Sequence, residues 1–318
     1  MVPPRRFAFT VPPDGAGCRL DRLLATHVDG LSRTQARVLI DIGGVFVDGK
    51  RVKIAGRTLR PGQQVRGTIG RSLARATKAT GQTARARDDA AVAPFRVIHE
   101  DDTVVVVDKP SGLPVAATAE TDRGNLAALL AARPGTPRIH VVHRLDAPTS
   151  GLLVFAKTVD AARALSRDLT ARTIAREYET VVAGHFPDDV HAIREPIGGR
   201  SACTHVRVVE RLGTMATRLC CRLETGRTHQ IRIHTRTVGH PVLGDRVHGF
   251  ATAHDPPRLA LHATTLAFAH PVSREHLSFT SPWPADLDAW LERLRARAEP
   301  RLAEPTVEPL SRSAKETP

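Results

Sequence analysis

Aromatic side chains are scarce in this chain: nine Phe, two Trp and a single Tyr among 318 residues. That poverty excludes a recognition surface built of several stacking rings, as many single-strand binders use. Cysteine is equally sparse. Cys18, Cys203, Cys220 and Cys221 show no C-x-x-C spacing and no disulfide-framework density, so unpaired thiols in a reducing cytoplasm are expected. No run of about 18 apolar residues occurs, which excludes a membrane-spanning helix. The N-terminus, MVPPRRFAFTVPPDG, lacks the apolar stretch of a secretory signal. Acidic residues are also short, but only locally. Residues 1–87 hold five of them against 17 Lys and Arg, so +12 of the formal net charge of +13 sits there. A basic module thus precedes a nearly neutral body, an asymmetry that points to a polyanionic partner.

Several chemistries are missing as well. There is no G-x-x-x-x-G-K-[ST] loop and no G-x-G-x-x-G fingerprint, which excludes the common nucleotide-binding designs. His229 and His234 lie five apart rather than four, outside any H-E-x-x-H frame, so neither a catalytic metal nor a cofactor is expected. Cys220 and Cys221 fall in a strand pattern and read as buried structural thiols.

What is present divides the chain. Residues 7–67 form the basic module. Leu20, Leu23, Leu24, His27 and Val28 recur at helical spacing, and Ser32 with Gln35 makes a capping box for a second helix that stops at Gly43-Gly44. Asp48-Gly49, flanked by Val45–Val47 and Arg51–Lys53, is a two-residue hairpin turn. Residues 68–93 have no sustained apolar period and are expected to be a basic linker; residues 300–318 are expected to be a disordered tail. Between them, 94–299 mixes strands and helices. Thr103–Val107, Leu152–Phe155, Tyr178–Ala183, Thr204–Val209 and Thr217–Leu223 read as strands. Helices are expected around Ala161–Leu169, over Thr228–Val238 and over 285–298 with Leu287, Trp290, Leu291 and Leu294 inward. The order lacks a regular β-α-β alternation, so the fold class is α+β with a mixed, mainly antiparallel sheet, preceded by the helix-helix-hairpin module.

Two polar strings interrupt this apolar pattern. His143–Gly151 runs straight into the strand Leu152–Phe155, which places Asp146 on a loop held by a rigid element, a placement suited to catalysis. From the residues alone, a loop-fixing Arg144–Asp146 ion pair explains the string equally well. Glu224–His234 is the second. It puts Arg227 near the N-terminus of a helix capped by Thr228, where a cation is unfavourable by a few tenths to about 1 kcal/mol unless an anion compensates it. Asp146 is one candidate for that anion; a solvated surface arginine is the alternative.

These strings resemble the RluA-type pseudouridine synthases, enzymes that isomerise uridine in structured RNA. HRLDAPTSGLLVFAK is similar to the family's aspartate motif. VVVDKPSGLPV, AREYETVVAG, LETGRTHQIRIH and HPVLGD with LALHATTLAFAHP are similar to its other segments, in the family's order across residues 95–285. RLDRLLATHV…SRTQARVLIDIGGVFVDGK resembles the small RNA-binding module named after ribosomal protein S-four, with Asp48 where asparagine is commoner. The resemblance implies roles. Asp146 is the essential aspartate, and Arg227 pairs with it. Tyr178, which alone would read as a core ring, stacks on the uracil and is a candidate for the proton transfer at ring carbon five. Arg144 fills the gap left by the flipped nucleotide, and Ile231 lines the base pocket. In the basic module Arg22, Ser32, Arg33, Arg37, Lys50 and Lys53 are the candidate RNA contacts.

The chemistry fits one marked carboxylate. Glycoside hydrolysis normally needs two, one to protonate the leaving group and one to attack. An isomerisation needs no water, because the uracil leaves as a delocalised anion and returns through carbon. Attack on the ribose anomeric carbon, addition to the base and removal of a ribose proton all remain open to Asp146. Flipping the base costs a few kcal/mol. The expected partner is RNA, with ribosomal RNA of the large subunit favoured by the attached module and transfer RNA as the alternative. A monomer without membrane attachment is expected. The rival from another class is a non-catalytic RNA-binding protein, which has no use for Asp146, Tyr178 and Arg227 together.

Overall fold

The computed structural model describes residues 4–79, 95–136 and 138–298. The expected linker from residue 80 onward and the expected tail lie outside the described residues.

The basic module consists of β1 (Arg5–Thr10), α1 (Leu20–His27), α2 (Arg33–Asp41), β2 (Val45–Val47), β3 (Lys50–Arg51), β4 (Gln64–Ile69) and α3 (Arg71–Ala79). The capping box starts α2: the Ser32 hydroxyl accepts from the Gln35 backbone while the Gln35 side chain accepts from the Ser32 N–H. Asp48 and Gly49 take φ values of 49° and 76°, as a primed hairpin turn requires, and Val47 faces Lys50 across it. Leu20, Leu24, Leu39 and Ile40 share one core with Val45, Val47 and Val65 of the antiparallel sheet β1-β4-β2-β3.

Residues 68–79 are not linker. β4 continues to Ile69, and α3 packs on the module's core through Leu73 and Ala76, too few apolar positions to make a visible period. The edge strand β1 went unrecognised because most of its side chains are exposed.

The body contains β5 (Arg96–Glu100), β6 (Val104–Lys109), α4 (Leu126–Ala131), β7 (His140–Val141), β8 (Ser150–Ala156), α5 (Val159–Thr170), β9 (Ala175–Ala183), β10 (Ala192–Ile193), β11 (Thr204–Leu212), β12 (Ala216–Leu223), α6 (Gln230–Thr237), β13 (Leu261–Ala269), β14 (His276–Thr280) and α7 (Ala285–Ala298). Its sheet runs β10-β11-β12-β9-β13-β8-β6-β5, with β14 on β13 and β7 on β8. The β8–β13 pairing is parallel and the others are antiparallel, the mixed α+β arrangement expected.

The valine run of β6 is apolar throughout because both sheet faces are covered. Val104 and Val106 join Ala161 and Leu165 of α5 on one side. Val105 and Val107 lie on the other, in the core that takes Trp290, Leu291 and Leu294 of α7. Gly151 is required where β8 meets β13: its φ is 111°, and a Cβ there would stand 2.3 Å from the Ala263 carbonyl oxygen.

A loop of the body grips the basic module. Arg51 Nη2 donates to the Thr118 carbonyl at 2.7 Å, Lys53 pairs with Asp122 at 2.8 Å, and Arg123 pairs with Asp41 at 2.8 Å. Glu120 accepts from the Ser72 backbone N–H in the first turn of α3, at 3.3 Å. The middle of the large sheet then sets out the site: the loop into β8 carries Asp146, β9 carries Tyr178, and β12 leads through Arg227 into α6.

Candidate active site

An open cleft of ≈ 650 Å³ collects Asp146, Tyr178, Arg227, Arg144 and Ile231, all five body residues singled out in the sequence. Asp146 stands on a loop fixed from beneath. Lys109, fully buried, donates through Nζ to the carbonyls of Pro110 (2.9 Å), Leu113 (2.9 Å) and Ala147 (3.0 Å). Gly112 N–H reaches the same Ala147 carbonyl at 2.7 Å, and the Ser111 hydroxyl donates to Pro148 O at 2.7 Å. The segment VVVDKPSGLPV thus works as a clamp on the aspartate loop. Burial lowers the Lys109 ammonium to about 7, while Asp146 nearby pulls the other way.

The arginine that meets Asp146 is Arg232, not Arg227. Arg232 Nη1 donates to Asp146 Oδ2 at 3.0 Å, and its other two nitrogens form a fork on Asp245, both at 2.7 Å. Asp245 also accepts from the N–H groups of Val247 and His248. Burial works to raise the Asp245 carboxyl, but the Arg232 fork and those N–H groups outweigh it and hold Asp245 at about 2. Arg227 instead donates from Nε to the Ser201 carbonyl at 3.0 Å.

The difference comes from where the helix starts. Thr228 is not its cap: α6 begins at Gln230, after His229 in the left-handed conformation (φ 59°). Gln230 replaces the cap with a full set of bonds. Its Oε1 accepts from Arg227 N–H (3.0 Å) and the Thr225 hydroxyl (2.7 Å), and its Nε2 donates to Cys203 O and Thr204 Oγ1, both at 3.0 Å. That start aims Arg232 at Asp146 and leaves Arg227 on the rim.

Tyr178 is 6% exposed and sits between Cys221 of β12 and Ala263 of β13. Burial pushes its phenol above the ordinary value. Ile231 is buried in the cleft wall. Arg144 is exposed, and among the described residues no hydrogen bond holds its side chain. Arg172, Arg176 and Arg200 also line the cleft and make it cationic, and Asp146 and Glu224 are the two carboxylates among its lining residues. Among the described residues Cys203, His205 and Glu224 have ligand-type atoms close enough for a metal, but Glu224 is already paired with His205 (2.6 Å) and Arg172 (2.8 Å).

The candidate contacts of the basic module lie apart from this cleft and divide by environment. Arg22 and Lys50 are exposed. Arg33 and Arg37, with the unpredicted Arg19, fan out half-exposed from one buried carboxylate, Asp21, at 3.2, 2.8 and 3.1 Å. Arg19, with Arg37 and Arg33, holds Asp21 well below the usual carboxylate range. The Ser32 hydroxyl is committed to its helix cap, and Lys53 to Asp122.

The family description "RNA pseudouridylate synthase" matches residues 103–237, and that of the S4 domain matches residues 18–65. Fold and matches together define a class: a pseudouridine synthase catalytic domain, an isomerase acting on RNA, behind an RNA-binding module. Ribosomal large subunit pseudouridine synthase D of Nitrosomonas europaea is 39% identical over 314 residues, covering 90% of this chain and 87% of its own. Its namesake in Xanthomonas campestris pv. campestris is 39% identical over 317 residues, covering 90% and 91%. Among solved structures, human RNA pseudouridylate synthase domain containing 4 shares the fold with a TM-score of 0.51 at 23% identity, over 63% of this chain and 92% of that one. The chain belongs to the RluA-type pseudouridine synthase family.

Proposed function

We propose that the chain converts uridines of large-subunit ribosomal RNA to pseudouridine, with Asp146 as the essential carboxylate. The observation that carries this reading is the placement of Asp146: it is held by Arg232 on the floor of a cationic cleft whose wall bears Tyr178. The ribosomal substrate follows from the names of the relatives that match along most of this chain.

In this reading the target nucleotide leaves its helix and Arg144, long and exposed, occupies the vacancy. The uracil stacks on Tyr178 against Ile231. Arg232 orients Asp146 through its hydrogen bond to Oδ2, and Arg227 with the other cleft arginines takes the flanking phosphates. The bond from ribose to the first ring nitrogen breaks, the uracil turns, and ribose joins ring carbon five. The proton at carbon five departs and the freed nitrogen gains one, so no water or oxidant is consumed.

Asp146→Asn tests this directly. With large-subunit ribosomal RNA from cells lacking the gene, the variant should form no pseudouridine while binding that RNA about as tightly as the wild type. Turnover close to the wild-type rate would refute the assignment.

A further inference from the structure

The reaction needs a base for the proton on uracil ring carbon five, and Tyr178 suits that task poorly because burial keeps its phenol protonated. Asp146 is occupied at the glycosidic bond and by Arg232. We propose that His229 removes the carbon-five proton and that His248 passes it to solvent. The proposal rests on the pseudouridine reading above and extends it.

His229 lines the cleft, and its Nε2 stands 3.8 Å from Asp146 Oδ1, close to the reacting centre yet too far for a hydrogen bond. Its other nitrogen, Nδ1, is 2.7 Å from His248 Nε2. With Nδ1 donating to His248, the Nε2 lone pair is left unpaired among the described residues and faces the cleft. His248 is partly open to solvent, and its backbone N–H is anchored on Asp245, which also carries the Arg232 fork. One carboxylate therefore positions both the arginine on Asp146 and the second histidine.

The backbone supports the same conclusion. His229 is one of four non-glycine residues with positive φ among the described residues, and such conformations cost on the order of 1 kcal/mol or more. That conformation places His229 just ahead of α6, where it lines the cleft. Burial lowers the His229 imidazole, with Arg232 adding to it and Asp146 and Asp245 opposing, a direction that favours the neutral ring a base requires. Burial lowers His248 likewise, with Arg232, His229 and Arg236 adding to it and Asp245 opposing.

The step balances. The carbon-five proton moves to His229 Nε2 as the C–H electron pair restores the ring. The imidazolium, next to Asp146, releases its Nδ1 proton to His248 Nε2, and His248 loses a proton to water. The uracil nitrogen freed from ribose takes its proton from solvent.

The test uses His229→Gly, which keeps the left-handed backbone and leaves a hole of imidazole size, with His229→Asn as a second variant that tolerates the same φ. The substrate is large-subunit ribosomal RNA transcribed with uridine carrying protium or deuterium at carbon five. Wild-type turnover should be nearly insensitive to the isotope. Both variants should be slower by about 100-fold or more and sensitive to it, and free imidazole should restore His229→Gly. An undiminished rate overturns the proposal, and so does a slow rate with neither isotope effect nor imidazole rescue. Wild-type inactivity on this RNA would sink the ribosomal reading instead, and this proposal with it.

Discussion

Arg227 and Arg232 lie five residues apart in one string, and their surroundings assign them different work. Arg232 is 3% exposed and bridges two carboxylates, one of them Asp245 with no exposed side-chain surface. Arg232→Met should cost about 3–5 kcal/mol in urea unfolding, since it strands a buried charge. Arg227→Ala should shift stability by no more than about 0.5 kcal/mol, because its Nε bond lies at the surface. It should weaken RNA binding instead. Equal destabilisation by the two variants would contradict this division. Asp146, Tyr178, Arg144 and Ile231 were marked by the resemblance to the family's motifs, and the fold brings them to one cleft. The arginine partner was not. Which side chain faces Asp146 depends on the helix start, and neither the left-handed His229 nor the bonds of Gln230 leave a trace in composition or periodicity. Lys109 lies inside the string VVVDKPSGLPV, but its grip on the Ala147 carbonyl is a contact 38 residues away in sequence.

At the scale of elements, β8 is the rod on which the site stands, and two neutral histidines pin it, one at its first residue and one at Val154. His143 Nε2 accepts the Val154 N–H at 3.2 Å, and His262 lies between the hydroxyls of Ser150 (2.9 Å) and Ser281 (3.2 Å). Burial lowers His143 to about 3, aided by Arg176, and lowers His262 to about 4. In the unfolded chain both protonate near pH 6.5, so the unfolded state binds more protons between 6.5 and those folded values. Stability is therefore full above about pH 6.5 and falls as pH drops below it, by about 1.4 kcal/mol per pH unit for each such group. Urea titrations between pH 7.5 and 5 should show the decline, and His262→Gln should remove about one proton from its slope. A pH-independent midpoint over that range would show that these rings are not neutral pins. Most elements were readable from pattern: the boundaries of α7 and the capping box of α2 were expected as found. α3 was missed because two apolar contacts suffice when a formed core is already there to receive them.

The whole molecule pairs a nearly neutral catalytic body with residues 1–87, which carry +12 of its formal charge. The fan of Arg19, Arg33 and Arg37 on Asp21 gives that charge a fixed display, and the loop 118–123 ties the module to the body. Phosphate contacts release counterions, so RNA affinity should fall steeply with salt. Deleting residues 1–87 should flatten that dependence far more than it slows turnover on a short substrate. An unchanged salt slope would relocate the RNA grip to the body. The cleft is expected to make pseudouridine in ribosomal RNA through Asp146. Mapping pseudouridines in large-subunit ribosomal RNA from cells carrying the wild type, no gene or Asp146→Asn tests it most directly. One or more sites should vanish without the gene, return with the wild type and stay absent with Asp146→Asn. An unchanged map across all three strains, or restoration by Asp146→Asn, would contradict it.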